Sequence, residues 1–169
     1  AGRFHRLGRW RKASVIPTDR TRVHPLAGTP SAERTVILVD TGPLVAVLDR
    51  ADRDHKRCVQ ALAGLVGPMW TTWPTFTEAM HLIGARTGWR GQHKLWQFVL
   101  RKELEIVEIE ERAMLRSYEL MRKYSDLPMD LADATMVAFA EAHRITQVFT
   151  LDKDFRVYRL HGRTAFDIV

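Results

Sequence analysis

Val36-Ile37-Leu38-Val39-Asp40-Thr41-Gly42 decides the fold. Four β-branched or aliphatic residues stand in a row without alternation, as in a strand buried on both faces. The run ends on an aspartate. A carboxylate at the tip of so apolar a strand is costly unless something pairs with it.

Outward from that strand, helical and extended patterns alternate. Pro43 to Arg50 and His55 to Leu65 read as helices, and Pro68 to Trp73 as a second strand. Pro74 suits a first helical turn and opens a helix at about Thr75–Ala85. Trp89 to Leu100 is another helix. Leu104 to Ile109 alternates apolar and acidic residues as a strand does, and Glu110 to Tyr124 is a long helix. After the turn Asp126-Leu127-Pro128 come a helix, Asp130 to His143, and strands at Gln147 to Thr150 and Ala165 to Val169. This order predicts an α/β fold, a central parallel β-sheet flanked by helices. Ligands of such sheets bind beyond the carboxyl ends of the strands, where the strand order reverses.

Acids collect at those ends. Asp40 follows the first strand, and Asp152 and Asp154 follow Gln147–Thr150. Glu78 lies early in the helix after the second strand, and Asp133 in the first turn of its own. Each has an ordinary reading alone. Thr75-x-x-Glu78 is a capping box, Asp130 and Asp133 suit a helix start, and Asp152 and Asp154 suit a turn. Together they form a cluster whose members repel and raise one another's pKa, which a cation relieves. The donors are all oxygen, favouring magnesium (Mg2+) or manganese (Mn2+) over zinc. Phosphodiester hydrolysis is the chemistry such a site serves best.

Composition narrows the classes. The net charge is +6. Residues 1–34 hold eight Lys/Arg against Asp19 and Glu33, so they carry all of it, and residues 35–169 balance. The basic pI therefore does not mark the folded part as a nucleic-acid binder. Residues 1–34, with Pro17, Pro25 and Pro30, lack periodicity and read as a disordered basic extension ahead of a domain at 35–169. Cys58 is the single cysteine, which excludes an internal disulfide and fits a reducing cytoplasm. No apolar run approaches the ~18 residues of a membrane helix.

The motifs, taken in order, resemble the PIN-domain ribonucleases. The matching pieces are Val39-Asp40-Thr41-Gly42-Pro43-Leu44, Asp52-Arg53-Asp54-His55, Thr77-Glu78-Ala79, Asp126-Leu127-Pro128-Met129-Asp130-Leu131-Ala132-Asp133-Ala134 and Thr150-Leu151-Asp152-Lys153-Asp154-Phe155. Within that family the chain is similar to the VapC-type toxins of bacterial toxin–antitoxin modules. The resemblance implies a PIN-like fold, a Mg2+ or Mn2+ cofactor, and endonucleolytic cutting of RNA at single-stranded loops, often in tRNA. It also implies a homodimer silenced by a cognate antitoxin. Carried over by position, Asp40, Glu78 and Asp133 match the three central acids, and Asp152, with Asp154 second, the fourth. Thr41 and Thr150 match positions that hydrogen-bond the acids; with Arg86 they are the candidate substrate-binding residues. The extension at 1–34 has no counterpart in the compact toxins.

Other readings compete. A non-catalytic PIN-like scaffold would share the fold. Asp40-Thr41-Gly42 is also the triplet of aspartic proteases, but those enzymes are almost wholly β and need two such aspartates. Trp73, Trp89 and Trp96 suit base stacking, or else core and dimer interface. Arg86, Arg90 and Lys94 suit phosphate contacts or a solvated face. Ala134, Ala138 and Ala142 form a small-residue stripe for close packing on the sheet.

Overall fold

The computed structural model describes residues 35–127 and 129–169. The basic extension lies outside the described residues. The strands are β1 (Ile37–Val39), β2 (Met69–Thr72), β3 (Glu105–Val107), β4 (Gln147–Phe149) and β5 (Asp167–Ile168). The helices are α1 (Thr41–Leu48), α2 (His55–Gly64), α3 (Trp73–Thr87), α4 (Trp89–Leu100), α5 (Glu111–Lys123) and α6 (Leu131–His143). A short 3-10 turn, Lys153–Arg156, follows β4.

All strand pairs are parallel, in the order β3-β2-β1-β4-β5. The chain walks outward from β1 to β3, then returns to the other side of β1 for β4 and β5. The reversal point is therefore the β1–β4 boundary, with Val39 opposite Phe149. A crevice opens at such a point.

Each face of the sheet has its own core. Leu38 and Val148 pack against α5 and α6, among Met136, Phe139, Phe155 and Tyr158. Ile37, Val39 and Phe149 point the other way, toward Leu44, Phe76, Ile83 and Leu95 of α1, α3 and α4. Both registers of β1 are buried, so the strand tolerates no polar residue until its end. Each fully buried aliphatic contributes about 1.5–3 kcal/mol of transfer free energy.

Several boundaries differ from the pattern. The strands are shorter: β1 begins at Ile37 rather than Val36, and β2 ends at Thr72 because Trp73 begins α3 with Thr72 as its cap. The small-residue stripe of α6 is buried at Ala134 and Ala138 but exposed at Ala142, in the last turn of the helix.

Candidate active site

Asp40 is the residue the fold constrains most. Its amide donates to the carbonyl of Phe149 at 3.0 Å, so it is fixed on the β1–β4 boundary. Its side chain is buried. Oδ1 accepts from the Thr41 amide at 2.6 Å and Oδ2 from the Thr150 hydroxyl at 2.7 Å. Burial pushes its carboxyl pKa up to about 6; the two hydrogen bonds oppose this, and the charges of Asp152 and Glu78 add to it.

Thr41 and Thr150 connect the other acids. The Thr41 hydroxyl lies 2.7 Å from Glu78 Oε2 and 3.2 Å from the Thr75 carbonyl. The capping-box reading of Thr75 and Glu78 is therefore corrected. Thr72 caps α3, its hydroxyl accepting from the Thr75 amide, and Glu78 takes its hydrogen bond from α1. Thr150 Oγ1 accepts from the Asp152 amide at 2.9 Å while donating to Asp40. Asp152 Oδ1 in turn accepts from the Asp154 amide, which starts the 3-10 turn.

Asp133 approaches from the opposite face of the sheet. Asp130 caps α6 and accepts from the Asp133 amide at 2.9 Å. Tyr158, wholly buried, donates its hydroxyl to Asp133 Oδ2 at 3.0 Å. Burial raises the Asp133 pKa to about 8, with the charges of Asp40, Asp130 and Asp152 adding to it. Burial and the Asp133 charge together hold the Tyr158 phenol well above its ordinary range. A buried threonine chain sets the two helices relative to each other. Thr72 Oγ1 lies 2.9 Å from both Thr75 Oγ1 of α3 and Thr135 Oγ1 of α6.

The structure thus joins Asp40, Thr41, Glu78, Thr150 and Asp152 by hydrogen bonds and couples Asp133 to Asp40 and Asp152 by charge. Asp154 stands one step out; its charge acts on Tyr158. Arg86 stands apart, in the last turn of α3, with its guanidinium 2.6 Å from Asp52 and 3.6 Å from Asp49. Tyr158 was not foreseen from sequence. Its hydroxyl reaches Asp133 through the tertiary fold, and no local spacing signals that.

The charged neighbours that raise Asp40 and Asp133 are all carboxylates. Among the described residues, no three His, Cys, Asp or Glu side chains already close into a cage around one point. The donor set is nonetheless hard oxygen with uncompensated negative charge, which fits Mg2+ or Mn2+.

A parallel α/β sheet with carboxylates gathered at its reversal point defines the class. Residues 37–160 match the PIN domain, and the chain belongs to that family. Ribonuclease VapC26 of Mycobacterium tuberculosis (strain ATCC 25618 / H37Rv) is 22% identical over 134 residues, covering 79% of this chain and 99% of that protein. The M. tuberculosis VapC20, a Sarcin-Ricin loop cleaving toxin, superposes with a TM-score of 0.69 at 19% identity, covering 76% of this chain and 98% of that one. VapBC2 from Rickettsia felis, bound to a DNA fragment from its promoter, gives a TM-score of 0.57 at 16% identity, over 79% and 98%. A toxin-antitoxin complex from Klebsiella pneumoniae gives 0.52 at 25% identity, over 79% and 99%. The parallel sheet and six helices do not fit the two-lobed, all-β aspartic proteases.

Proposed function

We propose that the chain is a metal-dependent endoribonuclease, the toxin of a type II toxin–antitoxin pair, hydrolysing phosphodiester bonds in single-stranded or loop RNA. The observation that carries this reading is the hydrogen-bonded run Asp152–Thr150–Asp40–Thr41–Glu78 at the reversal point of a PIN fold, with Asp133 charge-coupled to it.

Asp40, Glu78, Asp133 and Asp152 would hold Mg2+ or Mn2+. When bound, the ion supplies Lewis acidity at the phosphoryl oxygens and lowers the pKa of a bound water. The chain's own residues do the positioning. Thr150 and the Thr41 amide hold both Asp40 oxygens in one orientation, and the Thr41 hydroxyl aims Glu78 from the neighbouring helix. Tyr158 and the Asp130 cap fix Asp133. Asp152 is the better fourth acid, because its charge reaches both Asp40 and Asp133, whereas that of Asp154 falls on Tyr158. Arg86 would have to leave Asp52 before it could grip a phosphate.

The named relatives support the biological setting. One is a loop-cleaving toxin and two were solved as toxin–antitoxin assemblies. The partners in this reading are a cognate antitoxin, a second copy of the chain and a loop-bearing RNA such as tRNA, placing the protein in the cytoplasm. Among the described residues no helix is long and apolar enough to cross a membrane. The test is cleavage of ribosomal RNA and tRNA with Mg2+, Mn2+ or EDTA, in the parent and in Asp40→Asn. Cutting should require metal and Asp40. Cutting that survives EDTA, or no cutting of either RNA in any divalent metal, overturns the reading.

A further inference from the structure

Beside the acids, on the β4–β5 side, lies a cavity of about 530 Å3 that the mechanism above does not use. Its floor includes Thr150 and Asp152, so it opens directly off the candidate active site. Its lining carries four cations: Arg53 just before α2, Arg57 in its first turn, and Lys153 and Arg156 from the turn after β4. Asp54 and Asp152 are its acidic side chains. Arg53 lies 3.2 Å and Arg57 3.0 Å from the single Asp54 carboxylate, which cannot neutralise both. Lys153 and Arg156 are exposed and have no acidic partner within ion-pair distance among the described residues.

Positive charge next to repelling carboxylates needs an explanation, because residues 35–169 are neutral overall. Along the carboxyl edge of the sheet the order is Trp73 after β2, Asp40 after β1, Asp152 after β4, then the basic cavity bordered by Ile168 of β5. Neighbouring strands stand about 4.8 Å apart, so the acids and the basic cavity lie within a few nucleotides' reach of each other. A strand crossing this edge would leave its scissile phosphate at the acids and its next phosphates over Lys153, Arg156 and Arg57.

We infer that this cavity is a phosphate-backbone subsite, which seats the single-stranded RNA flanking the scissile bond and aligns it with Asp40 and Asp152. The inference rests on the ribonuclease reading and adds a polarity to it: it puts backbone contacts on the β4–β5 side of the acids. Cations at this distance act on affinity through counterion release, at about 0.7 in log–log salt slope for each single-strand phosphate neutralised.

The test is binding of fluorescein-labelled oligouridine by fluorescence anisotropy, over a range of salt and in EDTA so that nothing is cut. The full chain is compared with Lys153→Gln/Arg156→Gln and with a charge-matched control on exposed positions of α5, Arg112→Gln/Arg122→Gln. The groove variant should lose about 1.4 from its salt slope and bind about ten-fold more weakly at 0.1 M salt. The control should keep the parent's slope. A groove variant with the parent's slope, or an equal fall in the control, overturns the subsite. So does loss of polyglutamate binding with RNA binding intact, since the groove would then serve an acidic protein partner. A parallel cleavage assay with Mg2+ separates the two readings. If the parent cuts RNA while the slope is unmoved, the subsite alone fails; if the slope falls but nothing is ever cut, the ribonuclease reading fails and takes the alignment role with it, leaving a single-strand-binding groove without a scissile bond.

Discussion

Thr150 stands 110 residues from Asp40 in the chain, yet its hydroxyl lies 2.7 Å from Asp40 Oδ2. The contact exists because β1 and β4 are adjacent in the sheet although two other strands, β2 and β3, separate them in the chain, and each ends one residue before its functional side chain. The same hydroxyl accepts from the Asp152 amide, so one threonine orients two acids.

Replacing Thr150 with valine keeps the volume and removes both hydrogen bonds. A buried carboxylate oxygen and a partly buried amide lose their partners, so unfolding free energy should fall by about 1–3 kcal/mol. More Mg2+ should be needed for half-maximal cleavage. Thr150→Ser should restore both. Urea melts and a metal titration of activity check this, and a valine variant that matches the parent in both would show that the contact orients nothing.

How far the sequence announced this site varies residue by residue. Val36–Val39 was legible as a doubly buried strand because nothing polar interrupts it, and Asp40 because an acid there demands a reason. The alternation of elements gave the parallel sheet. For Glu78 only the local alternative failed: Thr75-x-x-Glu78 satisfies the capping-box spacing, but the cap is Thr72 and Glu78 bonds to another helix. Tyr158 and the Thr72–Thr75–Thr135 chain were invisible, because hydroxyl partners across elements leave no periodicity. The basic cavity was hidden for a similar reason. Arg57 and Lys153 are far apart in sequence and meet only when β4 lies beside β1.

The metal should stabilise the fold through mass action. At ten times its dissociation constant, a ligand bound only by the folded state adds about 1.4 kcal/mol. Mg2+ should therefore raise the melting temperature of the parent, and Asp40→Asn should abolish most of that rise. Differential scanning calorimetry with Mg2+ and with EDTA reads it. An equal rise in both proteins would place the ion elsewhere.

Removing residues 1–34 should leave the domain intact. The family match begins at residue 37, and both cores are built from residues after 35. Circular dichroism and the melting temperature of 35–169 should match those of the full chain. The salt slope of RNA binding should shrink, because eight of the cations are gone. A truncated chain that fails to fold would put the domain boundary upstream of 35.

Asp133 supplies the sharpest prediction, because its two roles pull in opposite directions. Without metal it is buried, faces the charges of Asp40, Asp130 and Asp152, and has its pKa raised to about 8. A carboxyl with a raised folded pKa binds more protons in the folded than in the unfolded state. Its penalty is absent below the unfolded value near 4, grows as pH rises from there, and levels off above about 8. Asp40, raised to about 6, adds a penalty that levels off sooner. The metal-free parent should therefore lose stability steadily between about pH 4 and 8. Asp133→Asn keeps an oxygen to accept from Tyr158 and removes the charge. In EDTA it should melt like the parent near pH 4 and be more stable by at least about 1 kcal/mol at pH 8. Its cleavage activity should nevertheless fall steeply, because an anionic ligand is gone. Thermal melts across pH in EDTA, paired with cleavage in Mg2+, read both effects. A variant that melts lower than the parent at pH 8 would make Asp133 a structural hydrogen-bonding residue, bound to Tyr158 and the α6 cap, and would remove it from the metal site.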